Sequence, residues 1–176
     1  ASDVYKRQSQ FHPQYSITGG EIKNHGSGKI TIVPKERKVV ITVRNNGVPI
    51  GKLNFKAKAV PSATFITNLD LKRGITRSQL ARVSLKAKAP DEFESLLPRE
   101  SHYILDEIMV FHSRNGHLIS QRKVKGGSRV NLSSIRTNAR EGDIIVFEVL
   151  KASRKNYKGD CEPAKINNTI ISVRVR

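Results

Sequence analysis

Gly142-Asp143-Ile144-Ile145-Val146-Phe147-Glu148-Val149-Leu150 is a polar turn running straight into the most apolar stretch of the chain. Its length, its β-branched and aromatic content and the Gly-Asp punctuation ahead of it specify a buried strand rather than a helix. The surrounding segments supply its partners. Tyr103 to His112 reads as a long strand with Ile104, Ile108 and Val110 as core residues, and Asn115-Gly116 turns it back into a strand from Leu118 to Val124. Asn131 reads as the N-cap of a short helix with Leu132, Ile135 and Ala139 on one face, which Gly142 stops. At the C-terminus Thr169, Ile171, Val173 and Val175 alternate with Ile170, Ser172, Arg174 and Arg176, the period of a half-buried strand. These elements predict an antiparallel β-sandwich with one or two short helices.

The first third of the chain shows the same pattern. Ile17 to Ile22 and Gly26 to Val33 are strand-like pieces broken by glycines, and Gly19-Gly20 lacks the spacing and strand-loop-helix context of a phosphate loop. Val39, Ile41 and Val43 share a face, Asn45-Asn46-Gly47 signals a hairpin, and the return strand places Leu53, Phe55, Ala57 and Ala59 opposite Lys52, Asn54, Lys56 and Lys58. That alternation predicts one dry and one wet face. Val60-Pro61-Ser62 ends the run, because proline cannot donate to a ladder and restricts the residue before it. The expected organisation is a β-sandwich domain over residues 9–62 that lacks its N-terminal strands, and a second over 63–176, with the joint between Pro61 and Gly74.

Further along, Thr76-Arg77-Ser78-Gln79 has capping-box spacing and predicts a helical turn leading into a strand from Val83 to Ala89, stopped by Pro90. Asp91, Glu92 and Glu94, between Pro90 and Pro98, read as an acidic loop without the companions a metal or a carboxylate pair needs. Ala1 to Gln8 stand apart. Back-translated, they resemble a sequencing-library transposon adapter, so residues 1–8 are expected to be no part of the fold and the native N-terminus is expected upstream.

Composition narrows the function classes. With 37% hydrophobic and 27% charged residues, the 176-residue chain is globular rather than disordered. Its one cysteine, Cys161, rules out an intrachain disulfide, and it lies between Asp160 and Glu162, which disfavour a thiolate. The 32 Lys and Arg against 15 Asp and Glu give a net charge of +17, which raises nucleic acid as a partner. The excess is dispersed, however, with 11 cations against 3 anions up to Ser62 and 21 against 12 from Ala63 onward. No block of five like charges occurs and aromatics make up only 6%, so a stacking groove is not expected. His12, His25, His102, His112 and His117 lack ligand spacing, and no Gly-x-Ser-x-Gly elbow is present. His112 and His117 flank the Asn115-Gly116 turn and read as exposed turn neighbours. The expectation is a non-enzyme with no catalytic residues, metal or cofactor. A nucleic-acid-binding β-protein and a surface- or carbohydrate-binding sandwich are the alternatives.

Five segments, in order, carry a resemblance: Thr18 to Ile22 with Gly26 to Gly28, Phe55 to Ser62, Ile75 to Leu80, Gly142 to Glu148, and Ile170 to Val175. Through them the chain resembles the C-terminal periplasmic region of the GldM/PorM family, the motor proteins of gliding motility and type IX secretion. The basic balance and the Asp91 to Pro98 segment depart from that pattern. The resemblance implies immunoglobulin-like sandwiches in the periplasm, held to the inner membrane by an N-terminal anchor and forming a homodimer. It implies an inner-membrane motor partner and a ring component at the outer membrane, with force or conformational change passed between them and nothing catalysed. For such a stalk, Lys52, Lys56 and Lys58 and the hairpin arm Arg122, Lys123 and Lys125 are candidate contacts for an acidic ring component.

Overall fold

Each of two Asn-Gly dipeptides closes a hairpin of the same kind in the computed structural model, which describes residues 13–125 and 129–176. Asn46 and Gly47, like Asn115 and Gly116, have positive φ (51° and 79°, 50° and 79°), the backbone that a two-residue turn between twisted strands requires. In both hairpins one isoleucine three residues past the glycine, Ile50 or Ile119, has no partner in the ladder. This extra residue sets the register. Without it Lys52 would oppose Ile41; with it Leu53 opposes Ile41 and Phe55 opposes Val39, so apolar faces apolar.

The described residues divide into two compact units between Val60 and Pro61. The first holds β1 (Pro13–Thr18), β2 (Gly20–Asn24), β3 (Ile30–Pro34), β4 (Lys38–Asn45) and β5 (Val48–Lys56), arranged as a β1-β4-β5 sheet and a β2-β3 hairpin, all antiparallel. Gly19 makes the corner between β1 and β2 at φ +81°, where an added Cβ would lie 2.2 Å from the Lys38 carbonyl oxygen. Only glycine fits so close a backbone approach. Among the described residues of this unit, Val39 and Ile41 are the fully buried side chains. The expected dry face does not extend across β5: Leu53 and Phe55 remain 52% and 45% exposed, and the strand ends at Lys56, short of Ala57 and Ala59. Among the described residues β5 is an edge strand and every one of its residues is exposed, so alternation there does not become burial.

The second unit holds β6 (Ala63–Thr67), a 3₁₀ turn (Gln79–Arg82), β7 (Leu85–Lys88), α1 (Asp91–Leu96), β8 (His102–Arg114), β9 (His117–Lys125), α2 (Ser133–Asn138), β10 (Ile144–Lys155), β11 (Cys161–Pro163), β12 (Ile166–Asn167) and β13 (Ile170–Arg174). The larger sheet runs β9-β8-β10, and the far side of β10 is shared by β13, against Ile144 to Glu148, and β11, against Ser153 to Lys155. The smaller sheet is β12-β6-β7, with β12 parallel to β6. Phe65 and Leu85 from the smaller sheet and Ile108, Val110, Ile145, Phe147, Ile171 and Val173 from the larger share one core, closed by Leu80, Leu132, Ile135 and Ala139. The protein is thus a mostly antiparallel β-sandwich protein with short helices.

Several expectations need correction. The organising strand β10 is central but buried on one face only: Ile145, Phe147 and Val149 point inward while Ile144 and Leu150 stay 41% and 45% exposed. Ile104 is not a core residue. Irregular pairing between Val149 and Ala152 on β10, opposite Leu105 to Ile108 on β8, shifts the alternation, so Tyr103 and Leu105 face inward before it and Ile108, Val110 and His112 after it. Asp91, Glu92 and Glu94 form the first turn of helix α1, where carboxylates complement the exposed N–H groups, and Asp91 also pairs with Lys88 at 2.8 Å. The expected joint from Pro61 to Gly74 contains β6, whose Ala63 and Phe65 are core residues. The Thr76 N–H does donate to Gln79 Oε1 at 2.7 Å, the side-chain half of a capping box. The cap of helix α2 falls on Leu132 rather than on Asn131, whose carboxamide oxygen accepts from the Ser133 N–H at 3.0 Å from one position ahead, and the helix ends at Asn138, short of Gly142. The readings made for residues 1–8 and His12 lie outside the described residues.

Candidate interaction surfaces

Strand pairing in the first unit gathers cations that are scattered in sequence. Lys52 and Lys56 sit on one face of β5, with Thr42, Val40 and Lys38 opposite Lys52, Asn54 and Lys56 on β4. Arg44 shares that face, as do Gln14, Ser16 and Thr18 of β1. Lys38, Arg44, Lys52 and Lys56 therefore form a four-cation face with no Asp or Glu on it among the described residues. Arg44 Nη1 donates to Ser16 Oγ at 3.1 Å. Lys38 stands directly opposite Lys56, a like-charge pair that destabilises the sheet by a fraction of a kcal/mol, on the order of the 0.2–1 kcal/mol of cross-strand pairs. Lys58 lies past the end of β5 and is not part of this face. Lys38 and Arg44 were missed because membership depends on the register shift at Ile50, which no residue type announces.

The second predicted cluster is not brought together. Arg122 pairs with Val110 and so lies on the core side of the sheet at its edge, while Lys123 and Lys125 pair with Met109 and Glu107 on the outer side. Lys123 Nζ lies 2.7 Å from Glu107 Oε2, and this contact chiefly holds the Glu107 carboxyl below its ordinary range. The arm thus presents a partly neutralised surface.

The sandwich also buries charge, and it does so at the start of the organising stretch. Gly142, at φ +89°, delivers Asp143 to a position with no exposed surface. Its carboxylate accepts from Arg114 Nε (2.7 Å) and Nη2 (2.9 Å), from His112 Nε2 (2.6 Å) and from the Arg140 N–H (2.8 Å). These donors, Arg114 foremost, hold the carboxyl far below the ordinary carboxylate range against the opposing effect of burial. His112 is therefore a core residue rather than an exposed turn neighbour; its place two residues beyond Val110 in the inward series of β8 was the available signal. His112 is fully buried, and its Nδ1 has no hydrogen-bond partner among the described residues. A buried arginine, Arg154, donates to the Glu100 carbonyl at 3.0 Å, to the Glu100 carboxylate and to Glu162 Oε2 at 2.7 Å, tying the α1–β8 connection to β11. The Asp143 carboxylate and the Arg154 guanidinium both find their partners within the fold, which is what structural ion pairs look like.

Among the described residues no group of three or more His, Cys, Asp or Glu is placed to hold a metal ion, and no helix is long and apolar enough to cross a membrane. Cys161 is exposed on β11. No family model matches the chain, and no curated protein matches it.

Proposed function

We propose that this chain is a non-catalytic structural and interaction module, the distal periplasmic end of a GldM/PorM-like stalk that couples an inner-membrane motor to an outer-membrane-associated ring in protein secretion or gliding. The observation that carries the reading is the placement of the resembling segments. Phe55 to Ser62 spans the division between two β units, and Gly142 to Glu148 enters the central strand of the second. In this role the chain is anchored to the inner membrane through a segment N-terminal to it and works as a homodimer. The ring component is met through surface charge.

The architecture suits a load-bearing part. Antiparallel pairing on both sides of β10 spreads force along its ladder, and the Asp143 cluster fastens the end of β8 to the turn that starts β10. The test is topological. In spheroplasts of cells that make the intact protein, added protease is expected to digest this region while cytosolic markers survive; protection of the region until the inner membrane is lysed would overturn the assignment.

A further inference from the structure

Among the described residues β5 is hydrogen-bonded to β4 along one side only, and all 9 of its residues are exposed. The Ala57 N–H donates to the Arg37 carbonyl at 2.8 Å. Continued up the antiparallel ladder, that pairing makes Phe55 with Val39 and Leu53 with Ile41 the hydrogen-bonded pairs. Lys52, Asn54 and Lys56 occupy the alternate positions, so their N–H and C=O groups point away from β4 toward the free edge. The side chains of that edge are sorted by face. Lys52 and Lys56 stand on the four-cation face, while Leu53 and Phe55, about half exposed, continue the apolar face begun by Val39 and Ile41.

Lysine on an edge strand discourages pairing with like-charged or neutral strands. A second copy of this edge would set Lys52 and Lys56 against lysines and add to the Lys38–Lys56 repulsion already present. An acidic strand reverses that sign and relieves the repulsion. We propose that β5 accepts an extended segment of another protein by strand addition, a segment with carboxylates beside Lys52 and Lys56 and apolar side chains beside Leu53 and Phe55. The main chain supplies the affinity and the alternation supplies the specificity. The proposal rests on the chain being an interaction module and adds the chemistry of its partner; it does not depend on the cellular compartment, so protease topology and peptide binding fail independently.

The test uses the full chain and a fluorescent peptide of about ten residues alternating Asp and Val, long enough for one strand. Two controls carry the same residues in separate blocks, or Lys in place of Asp. The alternating Asp peptide is expected to bind saturably, to slow hydrogen exchange at the Lys52, Asn54 and Lys56 amides, and to exceed both controls by at least about tenfold in affinity. Lys52→Glu with Lys56→Glu is expected to reverse the preference toward the Lys peptide. Asn54→Pro removes an N–H that the β4 ladder does not use, so it should keep the fold and lose the peptide. If that variant does not fold, peptides N-methylated on alternate residues provide the same test, one methylation phase losing binding and the other keeping it. Equal binding of the block peptide, indifference to Asn54→Pro in a folded protein or to the phase of N-methylation, or self-association through β5 would each overturn strand addition to an acidic partner.

Discussion

Arg114 grips Asp143 with two parallel hydrogen bonds, Nε to Oδ1 at 2.7 Å and Nη2 to Oδ2 at 2.9 Å, on a carboxylate that has no exposed surface. The same guanidinium reaches the Asn138 carbonyl at 2.9 Å, so the end of β8 is fixed both to helix α2 and to the start of β10. Removing Arg114 strands the buried Asp143 carboxylate, whereas Arg114 itself, 26% exposed, still reaches water. Arg114→Ala and Asp143→Ala are each expected to lower stability, and the double variant should cost clearly less than the sum. Urea unfolding of the four proteins checks this; additive losses would show that the pair is not coupled.

Acid should act through the same group. Because the folded state holds the Asp143 carboxyl far below its ordinary range, Arg114 being the main cause, the carboxylate contributes stability above its unfolded value of about 4, and that stability is lost as pH falls below it. Glu162, lowered chiefly by its hydrogen bond from Asn156, adds in the same direction. Stability is expected to be level from neutrality to about pH 5 and to fall below about pH 4, with Asp143→Asn shallower in that window. Parallel acid profiles for the two proteins would contradict this.

Tyr103 anchors the start of the second unit. Its hydroxyl donates to the Pro61 carbonyl at 2.5 Å, and burial pushes the phenol up from its ordinary value. Tyr103→Phe keeps the ring and leaves that carbonyl without its donor, for an expected loss of about 1 kcal/mol in chemical unfolding. No change in unfolding midpoint would mean that the carbonyl finds water instead.

How much of this was legible in sequence depended on which feature was read. Asn46-Gly47 and Asn115-Gly116 announce their turns because few other pairs tolerate two positive φ angles. The unpaired residues Ile50 and Ile119 look like any strand isoleucine, yet each shifts the register of the strands around it. That is why Lys38 and Arg44 were not grouped with Lys52 and Lys56, and an irregularity of the same kind moved Ile104 off the core face. His112 reads as an exposed turn neighbour because it flanks the Asn115-Gly116 turn, and nothing local singles out Arg154; their partners, Asp143 and Glu100, lie 31 and 54 positions away. Periodicity carries local structure; long-range partners have to come from the fold.

Charge reversal probes the proposed surface. Lys52→Glu with Lys56→Glu is expected to slow association with an acidic ring component, more at low than at physiological salt, and to reduce secretion or gliding while thermal stability barely changes. Reversal of Arg122, Lys123 and Lys125 should act more weakly, since Lys123 is already engaged by Glu107, and should cost stability by at most about 1 kcal/mol. Binding to DNA should be weak and should collapse with added salt. Unchanged association for both reversals would remove these lysines from the interface, and salt-resistant, sequence-selective DNA binding would replace the stalk reading with a nucleic-acid one.

The claim that this is the outer end of an envelope-spanning stalk is tested most directly by the sequence of the complete gene. The account predicts an open reading frame continuing upstream of Ser9 into further sandwich-forming sequence and, before that, a helix of about 20 apolar residues able to cross the inner membrane. A start codon close to Ser9, with no such segment ahead of it, would contradict the account.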